Sequence, residues 1–126
     1  MRIVRLLAIA AVLAPSHSVA SAKEPIPRRP GTCAFTTVKE VTTRLNDGDP
    51  NMGSAIILKN GVGGVSYERV PAVERSRARD RVITCLVRLP HNCPKGDERG
   101  KVYTTTNLRT LESFTLPDAE HICGGA

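Results

Sequence analysis

The chain has 126 residues, 24% of them charged and 3% aromatic, and its 18 Lys and Arg outnumber 12 Asp and Glu for a net charge of +6. The acids are interleaved with the arginines, which excludes the dense basic stripe of a nucleic-acid binder and leaves a mild preference for acidic partners. With Trp absent, the core must be built from Val, Ile and Leu, and a domain this small gains from covalent staples.

Residues 1–22 read as an export signal. Arg2 and Arg5 lie near the start, an apolar run follows over residues 3–13, and Val19-Ala20-Ser21-Ala22 is a small-residue cleavage end. The run is shorter than the roughly 20 residues a membrane span needs, and no later segment is longer. Cleavage after Ala22 takes 22 of 126 residues and two arginines, leaving sixteen basic and twelve acidic groups, a net +4. That length is one domain. The expected location is the periplasm, where disulfides persist.

Residues 23–31, Lys-Glu-Pro-Ile-Pro-Arg-Arg-Pro-Gly, read as an extended, poorly packing leader. The domain is expected over residues 32–126. Residues 33–45 are rich in Thr and Val with partial alternation, Phe35 and Val41 on one parity and Val38 on the other. They read as a strand, with a helix as the weaker option. Asn46-Asp47-Gly48-Asp49-Pro50 is a turn. Residues 53–59 carry the run Ala55-Ile56-Ile57-Leu58 and are expected to pair with residues 65–70 across the Gly-rich loop Asn60-Gly61-Val62-Gly63-Gly64. Residues 71–80 are charged and tolerate one short helix. Residues 81–89 are the most apolar stretch after residue 22 and read as a central strand. Residues 90–100 form a long loop. Residues 101–106 and 112–116 flank Asn107-Leu108-Arg109-Thr110 as a second hairpin. Residues 117–126 are aperiodic, held by Cys123. About six short strands separated by turns predict an all-β fold with room for one short helix: a small antiparallel sandwich or half-open barrel, stapled by disulfides.

Four cysteines allow three pairings, which sequence alone leaves open. The expected pairs are Cys85–Cys93, closing a short loop, and Cys33–Cys123, tying the start of the domain to its end. Chain entropy assigns them about 2.6 and about 4.6 kcal/mol. The rival is a metal site of Cys85, Cys93 and Cys123 with His91 or His121, but zinc sites favour tight C-x₂₋₄-C spacings that this chain lacks. No cofactor and no metal is expected.

The loop over residues 90–100 is the leading binding candidate. A Cys85–Cys93 staple, with Pro90 and Pro94, would leave a rigid tip that loses little entropy on association. Pro90, His91, Asn92, Lys95 and Arg99 are its candidate contacts, a donor-rich set suited to a carboxylate-lined cleft. Arg75, Arg77 and Arg79, in the strip Glu74-Arg75-Ser76-Arg77-Ala78-Arg79-Asp80-Arg81, form a secondary basic surface, with a solvated loop as the plainer reading. His121-Ile122-Cys123 could be a Cys–His pair, but a nucleophilic Cys must be reduced. The Gly-rich loop lacks the Lys-Ser/Thr ending of a phosphate loop. Asp97 and Glu98 sit between Lys95 and Arg99, as in a solvated turn rather than a catalytic acid pair.

Cys93-Pro94-Lys95-Gly96-Asp97-Glu98-Arg99-Gly100, then Thr106-Asn107-Leu108-Arg109-Thr110, then His121-Ile122-Cys123-Gly124-Gly125-Ala126, resemble small exported alphaproteobacterial proteins that end in H-x-C-G-G-A. The resemblance spans residues 81–126. It implies a link to periplasmic inhibitors of peptidoglycan-cleaving enzymes. Pro90-His91-Asn92-Cys93 also resembles, in composition, the histidine-bearing loop of Ivy-type lysozyme inhibitors.

The expected function is therefore that of a binding protein, not an enzyme. Its expected partner is a peptidoglycan hydrolase such as a lysozyme or lytic transglycosylase, with no nucleic acid, no membrane span and the oligomeric state left open. The alternative is a non-catalytic envelope module that binds peptidoglycan or another anionic surface through Arg75, Arg77 and Arg79. A third reading is a small enzyme or metal protein built on His121 and the cysteines.

Overall fold

The computed structural model describes residue 18 and residues 22–125. The expected export signal lies almost wholly outside the described residues. Six strands form one antiparallel sheet: β1 Cys33–Thr43, β2 Ser54–Leu58, β3 Gly63–Val65, β4 Arg81–Arg88, β5 Val102–Asn107 and β6 Ser113–Pro117. Their order is β3-β2-β1-β4-β5-β6, which places β1 and β4 at the centre. One turn of helix, α1 Pro71–Glu74, and a 3-10 turn at Pro50–Met52 complete the regular structure among the described residues.

β1 pairs with two strands in succession. Residues 33–37 pair with β4, and residues 38–43 pair with β2. The register with β2 slips between Val38 and Glu40. A bulge there adds one residue and increases the local bend. It also explains the mixed parity of this segment: Val38 before the slip and Val41 after it both pack against the core.

The bend curls the sheet, and the two edge strands approach. A Cβ on Gly64 of β3 would lie 3.2 Å from the Leu116 side chain of β6, so a larger residue there would push that side chain aside. No ladder joins β3 to β6 among the described residues. The fold is a half-open, disulfide-stapled β-barrel.

The inner face alternates cleanly. Val82 and Leu86 of β4 are fully buried, as is Val73, which α1 delivers to the core. Val38, Ile56, Leu58, Val62, Tyr103, Phe114 and Leu116 complete one cluster. The buried polar side chains are bonded: Thr84 Oγ1 and Thr105 Oγ1 lie 2.9 Å apart across β4 and β5. β3 lies earlier than the expected strand over residues 65–70: it takes Gly63 and Gly64 from the expected loop and shares only Val65 with that strand, because the chain bends after Ser66 toward α1.

Residues 23–31 are better packed than their composition predicts. Ile26 lies against the core and Pro27 is buried. The buried Asn60 amide donates to the Pro25 carbonyl at 3.0 Å. Thr36 donates to Glu24, and Gly31 N–H donates to the Leu86 carbonyl at 2.8 Å. An extended segment rich in proline has no internal hydrogen bonds, so its carbonyls are free for such partners.

Both expected disulfides are corrected. The pairs are Cys33–Cys85, with Cα atoms 4.0 Å apart, and Cys93–Cys123, at 5.2 Å. Cys33 and Cys85 are direct register partners across β1 and β4, on the face away from the core. Cys85 sits within an extended strand that continues to Arg88, which carries the chain away from it before Cys93. Cys93 instead meets the tail that leaves β6. The bridges span 52 and 30 residues, for which chain entropy gives about 4 kcal/mol each as an upper value. Replacing Cys33 and Cys85 together by Ala is expected to lower the unfolding free energy by about 2–4 kcal/mol in a urea titration. Peptide mapping without reductant should recover Cys33 joined to Cys85.

Candidate functional site

The candidate site lies where β4 ends, β5 begins and β6 leaves the sheet. Because these strands are antiparallel, the loop over residues 90–100 and the tail over residues 118–125 emerge at the same end. The Cys93–Cys123 bridge joins them.

A second clasp lies beside that bridge. Asp97 Oδ2 accepts from Arg99 Nη2 at 2.8 Å and from the Gly124 N–H at 3.0 Å. Arg99 Nη2 also donates to the Gly125 carbonyl at 3.3 Å, and Cys123 N–H donates to the Arg99 carbonyl at 2.9 Å. Asp118 Oδ1 accepts from the Gly100 N–H at 2.8 Å. Gly100 has φ +103, and a Cβ there would meet Ile122 Cα at 3.3 Å. Glycine is required for both reasons. The Arg99 guanidinium and then the Gly124 N–H hold the Asp97 carboxyl well below the usual carboxylate range.

The structure separates the expected contact residues into two groups. His91, Asn92 and Lys95 are exposed, and Pro90 is half-buried. Asn92 takes φ +54 at the turn of the loop, a conformation Asn tolerates better than most residues. His91 and Lys95 form no ion pair among the described residues. Arg99 belongs to the clasp, so its donors already serve Asp97 and the tail. The loop is therefore not a closed ring, as a Cys85–Cys93 bridge would make it, but one half of a loop–tail unit.

Composition gave no sign of the apolar surface beside this unit. Val87 and Ile122 are 49% and 70% exposed. With Arg88, Val102 and Pro117 they line an open groove of ≈ 630 Å³. The signal that could have found it is parity: Val82 and Leu86 face inward, so Val87 faces out. Ile122, a lone aliphatic in a polar tail, carried no such mark.

The second candidate surface is divided too. Arg75 is paired with Glu112, Nε to Oε2 at 2.9 Å. Arg77 and Arg79 are exposed and form no ion pair among the described residues. They lie at the other end of β4, eight residues away, or roughly 26 Å at strand rise.

His121 is exposed, and its neighbour Cys123 is bridged. All four cysteines are in disulfides, so none offers a thiolate. Two disulfides fit an oxidising, exported environment. Among the described residues, no group of three or more His, Cys, Asp and Glu side chains could hold a metal ion, and no helix is long and apolar enough to cross a membrane. No family model, curated protein or solved structure matches the chain.

A depressed folded-state value means that Asp97 stabilises the native state above the ordinary aspartate range near pH 4, and that this contribution is lost as pH falls through the folded value. The stability gap between the parent and Asp97→Asn is expected to be full at pH 7 and to close in strong acid. Urea titrations across that range check it, and a gap that stays constant with pH would contradict the assignment.

Proposed function

We propose that this chain is an exported periplasmic protein, cleaved after Ala22, that inhibits a peptidoglycan-cleaving enzyme. Its target is a lysozyme or lytic transglycosylase, and its inhibitory element is the loop–tail unit. The observation that carries the reading is the double fastening of that unit by the Cys93–Cys123 bridge and the Asp97–Arg99 clasp. An element held in this way loses little freedom when it enters a cleft.

The chemistry of the exposed tip supports the same reading. Glycoside-cleaving enzymes of this class work with carboxyl groups in a sugar-binding cleft. His91 and Lys95 are exposed donors beyond the clasp, and either side chain can bond a carboxylate and block its role in catalysis. The Val87–Ile122 groove beside the tip adds apolar surface, which supplies affinity where a polar tip alone would exchange water for little gain. Arg99 contributes as a brace of the loop rather than as a contact. The resemblance of residues 81–126 to small exported alphaproteobacterial proteins, which implies a link to such inhibitors, points the same way.

The test is loss of turbidity of a peptidoglycan suspension treated with purified lysozyme or lytic transglycosylase, with and without the protein. The parent protein should slow clearing. His91→Ala should weaken inhibition by about 30-fold, the equivalent of a 2 kcal/mol anchor. Cys93→Ser with Cys123→Ser should weaken it further while leaving the far-ultraviolet circular dichroism of the sheet unchanged. Full potency of His91→Ala would overturn the role of the tip, and the absence of inhibition toward every hydrolase tried would overturn the function.

A further inference from the structure

The end of the sheet opposite the loop–tail unit carries a different surface. Two connections meet there, residues 75–81 before β4 and residues 107–112 between β5 and β6. They are joined through Asp80 and Asn107. Asp80 accepts from Arg109 Nε at 2.7 Å, from the Asn107 amide at 2.9 Å and from the Arg77 N–H at 2.9 Å. The Asn107 amide also donates to Ser76 Oγ at 2.9 Å, and Arg109 Nη2 donates to the Arg75 carbonyl at 2.7 Å. Asn107 is fully buried. The two connections therefore form one rigid platform.

The platform concentrates the charge of the protein. It holds Arg75, Arg77, Arg79, Arg81 and Arg109 against Asp80 and Glu112, five positive charges less two negative, or +3. That is most of the +4 carried by residues 23–126. Asp80 is taken by Arg109 and Glu112 by Arg75. Arg77, Arg79 and Arg81 are exposed and form no ion pair among the described residues.

Two leucines share this end. Leu108 is 37% exposed and Leu111 is 78% exposed. Leu111 N–H donates to the Asn107 carbonyl at 2.8 Å, which closes the tight turn, and its φ is +57. A leucine in the left-handed region is strained, and a turn at that position favours Gly or Asn. The chain thus holds a bulky apolar side chain in solvent, against backbone preference, at the end of the sheet that carries three exposed arginines. Strain retained at an exposed position motivates a functional reading.

We propose that this platform docks on an anionic phospholipid surface, with Arg77, Arg79 and Arg81 on the headgroups and Leu111 in the interfacial layer. Charge complementarity selects an anionic occupant. The leucines select a bilayer over a phosphate polymer, because only a bilayer offers an apolar layer beneath its charged surface. Docking in this way directs the loop–tail unit away from the membrane, since the two lie at opposite ends of β4 and β5. The proposal does not depend on the inhibitor reading.

The chain contains no tryptophan, so Leu111→Trp makes a single-site reporter that senses its own surroundings whatever residues 1–22 do. Its emission should shift to the blue with phosphatidylglycerol vesicles and stay unchanged with phosphatidylcholine vesicles. The shift should be reversed by high salt. Arg77→Ser, Arg79→Ser and Arg81→Ser together, placed in the reporter chain, should weaken vesicle affinity by about tenfold or more, given the contribution of each basic group near an anionic surface. Leu111→Gly should raise the melting temperature, because it relieves the backbone, while weakening co-sedimentation of the otherwise unaltered chain with the anionic vesicles. An unshifted emission with phosphatidylglycerol, or an equal shift after removal of the three arginines, would overturn the proposal. Capture by sacculi or inorganic polyphosphate without a spectral shift on vesicles would do the same.

Discussion

Strand β1 has to serve two partners, and the rest of the molecule follows from how it does so. A straight strand of eleven residues in a flat sheet would leave both edges open and one face bare. The bulge between Val38 and Glu40 lets the first half of β1 keep register with β4 and the second half with β2. It also turns the sheet on itself, so that a small set of Val, Ile and Leu side chains fills one enclosed core. Asp80 and Arg79 meet Val38 at the same corner through backbone bonds of 2.9 and 2.7 Å, which fixes the connection into β4. The Cys33–Cys85 bridge then fastens the β1–β4 pair from the outside.

The two ends of the sheet are built from similar parts for different ends. Each joins two chain segments through a carboxylate that receives an arginine and a backbone N–H, Asp97 at one end and Asp80 at the other. In each case the arginine is the largest influence that keeps the carboxyl ionised. A charge shared among several donors is oriented more firmly than a single exposed ion pair, whose contribution is small. The consequence is a pair of stiff surfaces on a small scaffold with few aromatic residues. One presents His91 and Lys95, the other Arg77, Arg79, Arg81 and Leu111.

Much of the fold was legible in the residues, because strand alternation and turn chemistry are local properties. The strands around Ile56, Val82, Tyr103 and Phe114 lie within a few residues of their expected bounds, and the helical turn α1 falls within residues 71–80 as the charged stretch allowed. The loop over residues 90–100 lies where it was expected, but its fastening is the Cys93–Cys123 bridge and not the expected Cys85–Cys93 staple. The errors share one cause. The disulfide partners, the packing of Ile26 and Pro27, and the employment of Arg99 all depend on which distant segment comes alongside. Sequence spacing favours short bridges such as Cys85–Cys93, yet bridge choice depends on where side chains meet in space.

The sequence by itself determined the kind of protein this is: an all-β domain with a Val, Ile and Leu core, a short supply of aromatics, and cysteines destined for an oxidising environment. Hydrophobic periodicity and turn residues act over a few positions, and a single chain displays them directly. The tertiary structure alone decided that Cys33 faces Cys85, that the tail locks onto the loop through Cys123 and Asp97, and that Leu111 shares one end of the sheet with exposed arginines. Those are meetings between residues far apart along the chain, and only the register of β1 with β4, together with the return of β6 beside β5, brings them about.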